Sequence, residues 1–158
     1  MRIVAIVIIG ASVSALAARQ PAPAAVYTAR QAEAGSVAIQ RNAFGDCSSC
    51  HTVSLTGRTG AEAELPPLAS LPPDYQKLVA GNGGRVPPLV GTGFVSRWSG
   101  RSTKQLVEEF DKRFSPPLTS DTRLEIIAYM LKASGATVGA EPLTAMTDVP
   151  IASLFQAP

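Results

Sequence analysis

The chain has 158 residues, with 14 Lys+Arg against 12 Asp+Glu, two Cys and one His. That length argues for one domain, near-neutral charge gives no basis for nucleic-acid binding, and so few Cys and His exclude multi-site zinc folds and disulfide scaffolds. Aromatics are scarce at 6%, while 13 Gly and 13 Pro indicate a loop-rich fold whose core needs something besides aromatic rings to fill it.

In chain order, Met1-Arg2 is a short positive start, and apolar sequence runs from Ile3 to Ala18. That run is shorter than the roughly 20 residues of a membrane helix. Ala15-Leu16-Ala17 fits a small-x-small cleavage site, so residues 1–17 read as a signal peptide and the exported chain begins at Ala18. Ala22-Pro23-Ala24 is a second cleavage candidate, and an uncleaved anchor helix is the alternative. Losing Arg2 leaves 13 basic residues against 12 acidic ones. Export implies an oxidising compartment, taken as a bacterial periplasm, where neighbouring Cys are bonded to each other, to a metal or to a cofactor.

Residues 18–27 form a Pro/Ala linker. A helix is predicted over 28–43, with Ala32, Ile39 and Ala43 at helical spacing. Gly35 inside it costs about 1 kcal/mol against Ala and needs a packing reason, such as the close approach of a second helix. A short helix is predicted at 47–52. The stretch 65–88 holds six Pro and reads as loop, with one helical turn at Asp74–Ala80. Ser102-Thr103-Lys104-Gln105 is a capping box opening a helix over 103–114, whose apolar face is Leu106, Val107, Phe110 and Phe114. Pro116 ends it. A last helix over 121–134 carries Leu124, Ile127, Ala128 and Leu131, with Gly135 as its stop. Residues 136–158 are an aperiodic tail. No repeat and no convincing strand appears, so the fold class is all-α.

The chemistry sits in Cys47-Ser48-Ser49-Cys50-His51, which uses both Cys and the only His. This spacing is a c-type haem attachment signature. Thiols three positions apart share one side of a helical turn and can add to the two vinyl groups of one haem, while the next residue offers an imidazole to the iron. A covalent haem c would also fill the core. A thioredoxin-like CxxC fits export but belongs after a strand in a βαβ unit. A zinc site lacks the usual fourth Cys or His. A disulfide here closes too small a loop to stabilise much.

Stretches on both sides of the motif resemble a class I c-type cytochrome. The nearest likeness is to the cytochrome domains and subunits that accept electrons from PQQ-dependent alcohol dehydrogenases. The matching pieces are residues 26–35, Pro87-Pro88-Leu89-Val90-Gly91, Phe94, Trp98–Ser102, Pro116-Pro117 and 126–135. The resemblance implies a class I cytochrome c-like fold over 28–135, several short helices around one haem. It implies that Gly35 lies where the first and last helices cross, near Ala128 and Tyr129. It further implies that a Pro carbonyl holds the far nitrogen of His51. Both Pro66-Pro67-Leu68 and Pro87-Pro88-Leu89 offer one, and Pro87 is preferred because Gly91, Phe94 and Trp98 follow in register. Trp98 would then lie near the haem edge; its other reading is an ordinary core aromatic.

Three departures stand out. The chain is about four residues longer than the family pattern between Gly35 and Cys47. It carries a long insertion between His51 and Pro87. Ser115 stands where the family has the Met that ligates the iron's sixth position. After signal removal only Met130 and Met146 remain. Met130, on the last helix, is a candidate sixth ligand whose other reading is core filler, and Met146 is another, in a tail that could fold back over the haem. Lys112, Lys132, water or an empty position are the remaining options, and a weakly held sixth position is favoured.

The resulting expectation is a periplasmic electron carrier rather than an enzyme. It takes single electrons from a quinoprotein or similar dehydrogenase and passes them to an oxidase or cytochrome acceptor, with no stable membrane span in the mature form. The alternative is a haem protein that binds or senses CO or NO at an open sixth position. A peroxidase ranks last, because no distal His is available as acid/base.

Overall fold

The structure is a computed structural model and describes residues 22–40, 47–58, 73–113 and 118–155. The expected signal peptide, the end of the first predicted helix beyond residue 40, Pro66–Leu68 and Ser115 lie outside these residues. Six α-helices occur among them: α1 (Ala29–Ala38), α2 (Ser48–His51), α3 (Pro73–Gly81), α4 (Gly91–Trp98), α5 (Thr103–Arg113) and α6 (Ser120–Ala133). A 3₁₀ turn follows at Ile151–Leu154. The described residues contain no strand, only isolated bridges joining Arg58 to Val86 and Ser102 to Pro150. The class is all-α. No helix among the described residues is long and apolar enough to cross a membrane.

Caps set the helix ends. Thr28 accepts from the Gln31 amide to open α1, and Thr119 accepts from the Thr122 amide to open α6. Ser102 and Gln105 form a reciprocal box at α5: the Ser102 amide donates to Gln105 Oε1 at 3.0 Å, and the Gln105 amide to Ser102 Oγ at 3.4 Å. At the end of α6, the Gly135 amide donates to Lys132 O and the Ala136 amide to Leu131 O, both at 3.0 Å. That pair is a Schellman closure.

The core is built where α1 lies across α6. Gly35 sits at the crossing, and a Cβ there would stand 1.8 Å from Glu125 O. The closest approach is therefore at Glu125–Ile126, about one turn before the expected Ala128–Tyr129. Ala128 and Tyr129 still belong to this core, Ala128 fully buried and Tyr129 packed at its edge.

The expectation of loops outside four helices fails at α3 and α4. Helix α3 extends the single turn read at Asp74–Ala80. Helix α4 buries Phe94 and Trp98, an i, i+4 pair whose burial outweighs the weak propensity of Gly91 and Gly93.

The segment after Gly135 is part of the same body. Tyr27 Oη donates to Ala136 O at 2.5 Å. The Gln31 side chain brackets Leu143, donating to its carbonyl at 2.9 Å and accepting from its amide at 2.8 Å. The fully buried Thr103 hydroxyl donates to Thr147 O and accepts from the Val149 amide. The final 3₁₀ turn then buries Ile151 and Leu154.

A candidate haem-attachment site

Cys47 begins a single turn. Its carbonyl accepts from the Cys50 amide at 3.2 Å and from the His51 amide at 2.9 Å. The two thiols therefore stand one turn apart, and His51 follows directly. Both Cys are half-buried, and no disulfide joins them. Thr52 breaks the turn at φ +71°, a conformation costly for a β-branched residue, and sends the chain away from His51.

The next residues form a loop locked to the segment before α4. The Gly57 amide returns to His51 O at 2.9 Å. Arg58 and Val86 exchange two backbone bonds of 2.8 and 3.0 Å, and Leu55 O accepts from the Leu89 amide at 2.9 Å. Only Gly suits position 57: φ is +89°, and a Cβ would lie 2.7 Å from both Val86 O and Pro88 N. This lock carries Pro87 across the imidazole.

His51 Nδ1 donates to Pro87 O at 2.7 Å. The bond occupies one ring nitrogen and directs the lone pair to Nε2, the orientation a metal-binding imidazole needs. Burial pushes the His51 pKa below its ordinary value, against the opposing pull of the Pro87 bond. The ring is thus neutral at pH 7 and competent as a ligand.

Burial raises the Cys50 thiol pKa, and nearby Arg58 partly offsets the rise. Tyr75, on α3, is also raised, first by burial and then by Cys50 and Cys47. Neither Arg58 nor Tyr75 carried a sequence signal, because neither belongs to a motif or to a periodic apolar face.

The remaining predicted residues differ in exposure. Trp98 is 6% exposed in the core, its ring 6.5 Å from that of Phe94 and covered by the Arg101 guanidinium at 5.0 Å. Met130 is 1% exposed among core side chains, whereas Met146 is 79% exposed. The site as described therefore brings together Cys47, Cys50, His51 and Pro87.

The geometry also weighs on the other chemistries. Among the described residues, no three His, Cys, Asp or Glu are grouped to hold a metal ion. A reactive CxxC stands at the start of a substantial helix, whereas α2 has four residues. No family model matches the chain, and no match emerges among curated proteins or solved structures.

Proposed function

We propose that this chain is an exported mono-haem c-type cytochrome of class I build that carries single electrons. The observation that supports this reading most is the 2.7 Å bond from His51 Nδ1 to Pro87 O, one residue past a turn bearing two thiols. The donor set fits the group: Cys47 and Cys50 would hold haem through thioethers, and His51 Nε2 would face its iron. Haem bound there supplies a one-electron couple.

The chain's own residues do the rest. Pro87 O holds the Nδ1 proton and fixes the ring plane, which strengthens His51 as a donor. The 55–58 lock keeps that carbonyl in place, and the α1–α6 core gives the site a rigid backing that limits reorganisation. Trp98, capped by Arg101, acts in this reading as a core aromatic that stiffens α4. Donor and acceptor rest on the resemblance: a quinoprotein or similar dehydrogenase on one side, an oxidase or second cytochrome on the other.

The placement of the methionines favours a second reading. With Met130 enclosed by protein and Met146 out in solvent, the sixth position would be weakly held and open to CO or NO.

Mass spectrometry after co-expression with haem-attachment machinery tests the main reading. One haem should be added to the mature mass and lost in Cys47→Ser or Cys50→Ser. A haem-free wild-type chain under those conditions sinks it.

A further inference from the structure

Arg58 lies seven residues past His51, outside the attachment motif. Its backbone is held on both sides: it pairs with Val86, the neighbour of Pro87, while the amide of Gly57 returns to His51 O. The side chain thus starts from one of the most constrained points of the site. It is half-buried, and its Nε is enclosed with no hydrogen-bond partner. An enclosed guanidinium N–H without an acceptor is costly, so a native structure normally provides one.

Another enclosed Nε belongs to Arg123, but that guanidinium already has Asp111 as its counter-ion. Arg58 has no carboxylate partner among the described residues. Its backbone stands between Val86 and, through Gly57, the carbonyl of His51, so its charge starts beside the attachment residues. A fixed cation lacking both a counter-ion and one acceptor, beside the residues that would hold a dicarboxylate cofactor, calls for an anionic oxygen.

We propose that Arg58 binds a carboxylate of the haem held by Cys47, Cys50 and His51, making it the residue that anchors the cofactor's charge. This rests on the haem reading above. A cation fixed against that carboxylate cancels a negative charge near the iron. Removing it favours the ferric form and lowers the reduction potential. Lys keeps the charge but loses the planar fork.

The test uses the full chain, co-expressed with haem-attachment machinery, as wild type, Arg58→Lys and Arg58→Gln. Mass spectrometry establishes loading in each. The loaded proteins are then titrated potentiometrically, and their propionate bending bands are recorded by resonance Raman spectroscopy. The potential should fall in Arg58→Gln and fall less in Arg58→Lys, and the propionate bands should move in both. Unmoved bands in a loaded Arg58→Lys protein overturn the proposal, including the case where Arg58 serves a carboxylate of a docking protein. A wild-type potential in loaded Arg58→Gln, or equal falls in both variants, overturns it too. If Arg58→Gln does not accumulate, the bands of Arg58→Lys still decide. A wild-type chain without haem removes the haem reading and this proposal together, whereas loaded variants with unmoved bands remove this proposal alone.

Discussion

Gly35 and Glu125 meet backbone to backbone: a Cβ on Gly35 would stand 1.8 Å from the Glu125 carbonyl oxygen and 2.4 Å from its carbon. Two helices can approach so closely only because one lacks a side chain at that point. Gly35→Ala gains about 1 kcal/mol of helix propensity. Against that, overpacking costs about 1–3 kcal/mol or more, and backbone atoms cannot rotate aside. We expect net destabilisation of about 2 kcal/mol for Gly35→Ala and more for Gly35→Leu. Urea denaturation measures it; an unchanged midpoint in Gly35→Ala means the helices do not cross there.

The closing segment depends on one buried hydroxyl. Thr103 Oγ1 donates to Thr147 O at 2.7 Å and accepts from the Val149 amide at 3.1 Å. Thr103→Val keeps the volume but strands two backbone groups, which costs about 1–3 kcal/mol. Thr103→Ser, which keeps the hydroxyl, should lose less. Limited proteolysis around residues 144–149 gives a local readout, with faster cleavage expected in Thr103→Val. Equal cleavage in all three proteins would mean that this hydroxyl does not hold the segment.

Acid should remove a small surface contribution on α5. The Glu109 carboxylate pairs with Arg113 at i, i+4, and that hydrogen bond holds its pKa below the usual value. A depressed folded-state pKa gives stability that is present above the unfolded value and lost as pH falls through the folded one. The pair is partly exposed, so its contribution is about 0.3–0.5 kcal/mol. Glu109→Gln should therefore be slightly less stable than wild type at pH 7, and the two should converge in strong acid or high salt. A gap that persists at low pH assigns the effect to packing instead.

Local chemistry was legible in the residues, and long-range geometry was less so. The Ser102–Gln105 box and the Gly135 stop form as read, because caps need only neighbours in sequence. Gly35 announced a helix crossing through its cost, but its contact at Glu125 depends on the register of α6, which no local pattern sets. Helix α4 was hidden because its two glycines mask a short helix whose stability comes from burying Phe94 and Trp98. The tail looked unstructured because its anchors are polar side chains bonding to backbone more than 40 residues away, such as Gln31 to Leu143. At the site, the motif was plain in the sequence. Arg58 reaches it through a loop lock and Tyr75 from α3, relations that only the fold reveals.

The placement of the methionines yields the last prediction. Met130 is 1% exposed and enclosed by the core of α6, and Met146 is 79% exposed in the closing segment. A sulfur sheathed by protein cannot also face a cofactor without repacking its neighbours, and one out in solvent needs its whole turn to move. Ser at position 115 offers only a hydroxyl, a poor donor to ferrous iron. In the proposed haem-loaded protein the sixth position should then be weakly held, giving a potential below that of c-type haems with His/Met ligation, since Met ligation raises it. The reduced, haem-loaded wild type should bind CO. Met130→Leu, a volume-conserving core change costing less than about 1.5 kcal/mol, should leave CO binding and the visible spectrum unaltered, as should Met146→Leu. The opposite pattern is equally readable: a wild type that ignores CO, with one Leu variant that takes it up, makes that Met the ligand and requires the closing segment or α6 to rearrange when haem is attached.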